Sequence, residues 1–454
     1  GPHLSESRPF RVAGVSRREV SEEASPSRRA ILLQGPVGPF FAQLQTALDA
    51  AGWETVRILF NLGDARFHGA GREISYGGRM SDWPAWFAGF LKNFGPAVVL
   101  AFGDQRAIHR DASAAARAAG VPFVCFEEGY LRPEYVTMEL GGNNAASPLR
   151  RWLPAENTVP DPLAPTPMPS NGFSVAAWHA AAYFSALRVG MLRYPYYRHH
   201  RDRGIVRESL MWTRNALRKW RYTKSNLRKI HWIVEALDER YFVVALQVHD
   251  DLQLRHHGAG WTVETLIEST IASFARAAHP DHHLVFKGHP LDRGHGSSRD
   301  LTRKLARLFG VEARVHYIDD GSLGLLSRHC RGMVTVNSTS AMVAFGHAKP
   351  VFAAGESFYE ILAANGQDRS EEAMDRFWRF TPQLDMRVWR DFRAHMIATS
   401  QVNGSYYIPS ETAATAARVV SRLDLLLDQA ARERAPARPR GSRPSAAPSD
   451  EAAS

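Results

Sequence analysis

Cysteine is almost absent from this 454-residue chain, which contains only Cys125 and Cys330. Both lie in apolar, strand-like runs, so we expect two buried free thiols in a reducing compartment rather than a disulfide framework. No cysteine or histidine spacing typical of a metal site is present. We therefore expect neither a metal nor another cofactor.

Long apolar runs are also missing. Nothing approaches the roughly 18 uninterrupted apolar residues of a membrane span, so no transmembrane helix is expected, and no signal peptide is visible. The chain begins with Gly1-Pro2-His3-Leu4, which resembles the remnant of a cleaved tag. Residues 1–28 are polar and patternless, and we predict a flexible lead-in there.

Positive charge is in excess, with a formal net charge of +10. Much of it lies between Arg188 and Lys229, among aromatic residues, and in the tail at residues 431–454, which is predicted to be disordered. Nucleic acid, an anionic membrane surface and an anionic substrate would each suit a basic surface. Because no nucleic-acid motif is recognisable, no nucleic-acid partner is expected.

Strand and helix patterns alternate in two stretches, residues 29–153 and 240–430, which predicts two α/β domains with parallel sheets. Between them, residues 154–239 are predicted to form a Pro-rich connector and a basic, aromatic helical arm. The last part of the second stretch is predicted to contain closing helices. Two Rossmann-like domains facing each other across a cleft form the GT-B plan of glycosyltransferases, although other two-domain α/β enzymes share this outline.

The predicted strand that begins the second α/β stretch runs from Tyr241 to Val248 and ends in two carboxylates, Asp250 and Asp251. In open α/β sheets, ligands bind in the crevice outside the carboxyl ends of the strands. Acidic side chains placed there are candidates for chemistry. The alternative is an Asp pair that caps the following turn.

Two other strand ends of the second stretch carry polar groups that meet at the same crevice. One is Lys287-Gly288-His289-Pro290, and the other is Val336-Asn337-Ser338-Thr339-Ser340 before a predicted helix. Hydroxyls and backbone amides at a helix start suit a phosphate. The alternatives are an ordinary Ser/Thr cap and a core histidine. The combination resembles the nucleotide-holding pair of CMP-sugar transferases.

Several motifs, in order along both stretches, resemble the capsule-polysaccharide Kdo transferases of the KpsS/LipB type. They are Leu33-Gln34-Gly35-Pro36-Val37-Gly38-Pro39, Phe102-Gly103-Asp104, Phe126 to Pro133, Gly142-Asn143-Asn144, Gln247 to Gln253, His289-Pro290-Leu291-Asp292, Val336 to Thr339, and Asn403 to Tyr407. A single transferase module suggests the enzyme that primes a lipid anchor. The resemblance covers the chain from about Ala30 to Tyr407.

The resemblance implies transfer of β-Kdo, with retention, from CMP-β-Kdo to phosphatidylglycerol or lysophosphatidylglycerol, to begin a capsule linker. It also implies a cytoplasmic protein bound peripherally to the anionic inner face of the cytoplasmic membrane, with other capsule biosynthesis proteins as candidate partners. The competing hypotheses are a GT-B transferase using another CMP- or UDP-sugar, and a nonenzymatic capsule-export scaffold. Turnover with CMP-Kdo separates all three.

The resemblance assigns residue roles as well. Net retention requires either a front-face mechanism or two inversions, and two inversions need an enzyme nucleophile. Asp251 matches the family aspartate for that role, with Asp250 as the less favoured neighbour. One of Glu127 and Glu128 would be the general base. The expected donor-binding residues are Gln247, Lys287, His289, Pro290, Asn337, Ser338, Thr339 and Ser340. The expected acceptor- or sugar-side residues are Gln34, Gly35, Asp104, Arg132 and Asn144.

Overall fold

The computed structural model describes residues 28–155, 160–169, 172–189, 194–197, 225–247, 260–289 and 298–434. Its strands are β1 (Arg29–Leu32), β2 (Glu54–Leu59), β3 (Arg72–Ser75), β4 (Val98–Phe102), β5 (Phe123–Glu128), β6 (Tyr135–Leu140), β7 (Tyr241–Ala245), β8 (His283–Lys287), β9 (Val315–Ile318), β10 (Gly332–Thr335), β11 (Val351–Ala353) and β12 (Gln401–Asn403).

The α-helices of the same residues connect or cover these strands. They are α1 (Phe40–Ala50), α2 (Trp83–Phe94), α3 (Ala107–Ala118), α4 (Gly172–Val189), α5 (residues 225–236), α6 (Val263–Ala277), α7 (Ser298–Leu308), α8 (Leu323–His329), α9 (Ala341–Gly346), α10 (Glu371–Arg379), α11 (Met386–Thr399) and α12 (Thr412–Arg434).

The first sheet has seven strands in the order β12-β6-β5-β4-β1-β2-β3. Strands β1 to β5 run parallel, whereas β6 is antiparallel to both β5 and β12. Its central strands are apolar and buried, as expected for a parallel sheet covered on both faces. Two apolar clusters, one on each face, hold it against its helices.

The second sheet has five parallel strands in the order β11-β10-β7-β8-β9. All five residues of the central strand β7 are buried, and apolar clusters again lie on both faces. The predicted α/β fold with two Rossmann-like units is therefore confirmed. We call them the N-terminal unit and the C-terminal unit.

The end of the chain departs from the predicted domain range of 240–430. Residues 401–434 return to the N-terminal unit, where β12 pairs with β6 and α12 packs against α1. Val419, Leu423 and Leu426 of α12 are buried in the core of that unit. This apolar face fixes the location of α12, and the C-terminal unit ends near residue 400.

The connector and arm are described in part. Residues 160–169 have no regular structure. Helix α4 and residues 194–197 lie against the N-terminal unit through Tyr183, Tyr194 and Tyr197. Most of the basic residues between Arg188 and Lys229, the lead-in and the tail after Arg434 lie outside the described residues. No helix within the described ranges has the length and apolar character that crossing a membrane requires.

Candidate functional site

Two strand ends of the C-terminal unit are tied together by an amide pair. Gln247, just after β7, donates from Nε2 to Asn337 Oδ1 at 2.9 Å, and the Asn337 backbone N–H donates to Gln247 Oε1 at 3.2 Å. Both side chains are almost fully buried. Sequence analysis placed both in the donor site, and the structure brings them together at the carboxyl edge of the sheet.

Directly after Asn337 comes a loop of three hydroxyl residues, Ser338, Thr339 and Ser340, which we call the hydroxyl loop. Ser338 donates from Oγ to Ser340 Oγ at 2.9 Å and accepts from the Ser340 N–H at 3.1 Å. Tyr359 donates from its hydroxyl to the Ser338 carbonyl at 2.8 Å. The helix that follows, α9, has only six residues, and no side chain caps its N-terminus. The loop is therefore shaped by its own hydroxyls and by Tyr359.

Strand β8 ends beside β7 and places Lys287 and His289 at the same edge of the sheet. The Lys287 ammonium is buried and donates to the Gly288 carbonyl at 2.8 Å. His289 is partly buried. The predicted Pro290, the predicted nucleophile Asp251 and its neighbour Asp250 lie outside the described residues.

In the N-terminal unit, β5 ends in Glu127 and Glu128, both partly buried. Tyr407 donates its hydroxyl to Glu128 Oε1 at 2.5 Å, whereas Glu127 Oε1 accepts the Glu128 backbone N–H at 3.0 Å. Burial raises the pKa of Glu127 to about 7, and the charges of Glu128 and Asp104 act in the same direction. A carboxyl with such a pKa is suited to proton exchange near neutral pH.

Gln34 lies in a buried polar cluster of the N-terminal unit. Its amide donates from Nε2 to Asp64 Oδ2 at 2.9 Å and to the Tyr197 hydroxyl at 3.0 Å. Tyr183 of α4 donates to Asp64 Oδ1 at 3.2 Å and accepts from Asn61 Nδ2 at 2.8 Å. Burial raises the pKa of Asp64. The helical arm is thus anchored by tyrosine hydroxyls at the strand ends of this unit.

Gly35, predicted on the acceptor or sugar side, has a packing explanation. A Cβ at this position would lie 2.4 Å from Phe41 Cγ, so no larger residue fits without displacing the start of α1. Nearby, a cavity of about 340 Å³ lies at the carboxyl ends of β2 and β3. The arm forms part of its wall through Tyr194, whose hydroxyl lies 2.8 Å from Ser75 Oγ.

Asp104, after β4, contacts the turn after β6 that contains Asn144. Asp104 Oδ2 accepts from the Asn143 N–H at 3.3 Å, and the Asn144 N–H donates to the Tyr130 hydroxyl at 2.6 Å. Asn144 has a positive φ of 52°, a conformation that asparagine tolerates better than most residues. These contacts give both residues a structural role in holding the loop after β6 over the end of β4.

The two units meet near these strand ends. Tyr130 stacks on Phe358 with ring centroids 4.2 Å apart, and Arg132 donates from Nη2 to Thr339 Oγ1 at 2.7 Å. Arg150 pairs with Glu360 at 3.1 Å and with Glu356 at 3.6 Å. The carboxyl end of β5 therefore faces the carboxyl end of β10 across a cleft.

Known proteins are similar in sequence to this chain over most of its length. A family profile described as "Capsule polysaccharide biosynthesis protein" matches residues 97–407. The chain is 34% identical over 384 residues to the capsule polysaccharide export protein KpsS of Escherichia coli, covering 84% of this chain and 97% of KpsS. The chain belongs to this capsule polysaccharide biosynthesis family.

Other members of the capsule polysaccharide biosynthesis family are similar over nearly their whole length. The capsule polysaccharide modification protein LipB of Neisseria meningitidis serogroup A is 31% identical over 402 residues, covering 87% of this chain and 95% of LipB. Among solved structures, the β-Kdo 2,7 transferase KpsC of Thermosulfurimonas dismutans matches 87% of this chain and 99% of its own. Its identity is 12% and its TM-score 0.40.

Two side chains of this capsule polysaccharide biosynthesis protein were not predicted as site residues from the sequence. Arg106, two residues after Asp104, exerts its positive charge on both Asp64 and Glu127. Tyr407 closes a hydrogen bond on Glu128 from 279 residues away. Tyr407 lies in the motif from Asn403 to Tyr407, but the motif does not predict its partner. That partner depends on the return of the chain to the N-terminal unit. Arg106 follows a strand end, which is the signal that could have found it.

Proposed function

We propose that this chain is a glycosyltransferase that moves β-Kdo from CMP-β-Kdo to the glycerol of a phosphatidylglycerol-type lipid, with retention, to begin a capsule linker. The observation that carries the proposal is that strand ends of the two units, which carry different chemical groups, face each other. Glu127, with a pKa near 7, ends β5 on one side. The Gln247–Asn337 pair and the hydroxyl loop end β7 and β10 on the other. Membership in the capsule family supports the proposal.

The donor is placed on the C-terminal unit. Backbone and side-chain donors at the ends of β7, β8 and β10 suit the single phosphate of a CMP-sugar, as in other open α/β sheets. Lys287 contributes a buried amine donor. We propose that these groups suffice for departure of CMP without a metal. Full activity in the presence of EDTA is the expected result, and recovery of lost activity by added Mg²⁺ would contradict it.

Retention is proposed to proceed by two inversions. Asp251 attacks the anomeric carbon, the bond to CMP breaks, and CMP leaves with the bonding electrons. The acceptor hydroxyl then attacks the same carbon and displaces Asp251. Glu127 takes the hydroxyl proton, a role for which a pKa near 7 is well matched. Glu128, engaged by Tyr407, positions that strand end.

The acceptor is placed against the N-terminal unit, where Glu127 and the cavity between β2, β3 and the arm lie. Phosphatidylglycerol or lysophosphatidylglycerol would present its glycerol hydroxyl there. The proposal places the protein at the inner face of the cytoplasmic membrane.

The deciding experiment is mass spectrometry of the products formed from CMP-Kdo and a fluorescent phosphatidylglycerol analogue. A single added Kdo on the lipid is expected from the unmodified protein. Asp251→Asn should still bind CMP while turnover falls by several orders of magnitude. An adduct on the peptide containing Asp251, trapped without acceptor, would support the covalent step. Turnover with CMP-sialic acid or a UDP-sugar alone would reject the Kdo donor.

A further inference from the structure

Two arginines of the N-terminal unit bridge the cleft, and they differ in whether a carboxylate pairs with their charge. Arg150 is neutralised by Glu356 and Glu360 of the C-terminal unit. Arg132 bridges to Thr339 Oγ1 at 2.7 Å and is exposed. Among the ion pairs of the described ranges, none involves Arg132. The Arg132 bridge therefore brings an uncompensated positive charge to a neutral hydroxyl.

The hydroxyl that Arg132 contacts lies in an otherwise fixed loop. Ser338 and Ser340 bond to each other, and Tyr359 holds the Ser338 carbonyl. When Thr339 accepts a hydrogen bond from Arg132, its own proton stays available to donate. A guanidinium has five N–H groups, of which this contact uses one. Together the two side chains present several donors and a positive charge at one point.

Such a group suits an oxyanion. Guanidinium donors match the geometry of phosphate and carboxylate oxygens, often through two parallel hydrogen bonds. A CMP-sugar of the proposed type carries both anions, a phosphate on the nucleotide and a carboxylate on Kdo. Sequence analysis placed Arg132 on the acceptor or sugar side, whereas its observed partner, Thr339, belongs to the predicted donor site.

We propose that Arg132 is a donor-binding residue supplied by the N-terminal unit, which holds an oxyanion of the nucleotide-sugar together with Thr339. The inference rests on the proposed function in that it takes the hydroxyl loop as part of the donor site. It adds that the donor is held from both units. Arg150 joins the units through a charge already paired with Glu356 and Glu360, and its Nη1 also donates to the Ala145 carbonyl.

The test compares Arg132→Gln with Arg150→Gln by calorimetry of CMP, cytidine and CMP-Kdo. Both variants remove one bridge across the cleft, but only Arg132 has an uncompensated charge. Loss of a charge-assisted hydrogen bond should weaken CMP-Kdo binding roughly 10- to 100-fold in Arg132→Gln, with a smaller loss in Arg132→Lys. Arg150→Gln should bind CMP within about twofold of the unmodified protein, and cytidine binding should be equal in all variants.

The ligands separate the two anions. Weaker binding of both CMP and CMP-Kdo assigns Arg132 to the phosphate, and weaker binding of CMP-Kdo alone assigns it to the sugar carboxylate. Unchanged binding of both in Arg132→Gln, or equal losses in the two variants, would overturn the inference while leaving the proposed function intact. If the protein binds UMP instead of CMP and Arg132→Gln weakens UMP, the proposed donor fails and the inference stands. Binding of no nucleotide would overturn both.

Discussion

Two buried carboxyl groups show why environment alone does not define a functional residue. Burial raises the pKa of both Glu127 and Glu139 to about 7. Glu139 accepts hydrogen bonds from Tyr130, Asn143, Ser147 and Ser400. Among the described residues, Glu127 accepts one hydrogen bond, from the Glu128 N–H, and it lies at the carboxyl end of β5. Glu139 therefore joins loops through both of its oxygens, whereas Glu127 keeps the capacity to accept a further hydrogen bond.

The raised pKa of Glu127 predicts a pH-dependent stability effect of Glu127→Gln. Between pH 4.5 and about 7 the folded state holds the proton more tightly than the unfolded chain, so this group lowers the free energy of unfolding as pH rises. Glutamine cannot ionise. Relative to the unmodified protein, Glu127→Gln should therefore be more stable at pH 8, on the order of 1–3 kcal/mol, with a smaller difference at pH 5. Urea unfolding at both pH values measures this.

Glu139→Gln is the matched control for that experiment. Its amide would turn an N–H₂ group toward hydroxyl and amide donors, so it should destabilise the protein at both pH values. In activity assays Glu127→Gln should lose roughly 10²–10⁴-fold in turnover and the rise in rate near pH 7. A Glu127→Gln enzyme with normal turnover and the same pH profile would remove Glu127 from the mechanism.

At the scale of elements, the packing of β1 against α1 depends on a glycine. Gly35→Ala would place a Cβ 2.4 Å from Phe41 Cγ and should lower the free energy of unfolding by about 1–3 kcal/mol. Gly89, inside α2, has nothing within 4 Å of an added Cβ. Gly89→Ala should raise the free energy of unfolding by about 0.5–1 kcal/mol through helix propensity. Equal effects of the two substitutions in urea unfolding would contradict this.

The central strands were predictable because they are continuous apolar runs. β7 begins at Tyr241 as predicted and ends three residues before the predicted Val248, since strands buried on both faces carry a strong signal. β3 has only one apolar residue, Ile74, and β12 has only Val402. Such short edge strands are defined by their neighbours in the sheet rather than by their own sequence, so sequence analysis missed them.

The candidate site was predictable to the level of strand ends, and no further. The rule that ligands lie at carboxyl ends selected Gln247 and Asn337. Their mutual hydrogen bonds join residues 90 positions apart and depend on the register between β7 and β10. Likewise, the sequence placed Arg132 in a motif, but its partner Thr339 follows only from how the two units meet. Roles for Asp251 and Pro290 stay predictions.

At the scale of the molecule, the arm exposes large apolar side chains beside a basic sequence. Trp178 is 68% exposed, and Tyr196, Leu227 and Trp232 are each nearly half exposed. Aromatic and basic residues together suit an anionic membrane interface. Vesicle co-sedimentation should rise with phosphatidylglycerol content and fall with salt, and Trp178→Ala should weaken it. Phe380→Ala, which removes a 75% exposed ring outside the arm, is the control and should have no effect. Vesicle binding that does not change with lipid charge or salt would reject a membrane interface on the arm.

The return of the chain to the N-terminal unit predicts the outcome of truncation. A chain ending at Ser400 lacks Val402, Tyr406, Val419, Leu423 and Leu426, all buried in one core cluster. Each such side chain contributes about 1.5–3 kcal/mol, so their sum approaches the whole stability of a typical domain. The truncated protein should lose its cooperative thermal transition for the N-terminal unit, whereas a chain ending at Arg434 should keep it. A soluble, cooperatively melting chain ending at Ser400 would contradict this.

The same return has a consequence during synthesis. A ribosome makes β1 to β6 first, yet the helix that covers one face of their sheet, α12, is among the last segments to emerge. The C-terminal unit, whose strands β7 to β11 are contiguous, can finish folding before its predecessor. Until α12 is made, the face that it shares with α1 is only partly covered, so we expect the N-terminal unit to be completed after the C-terminal unit.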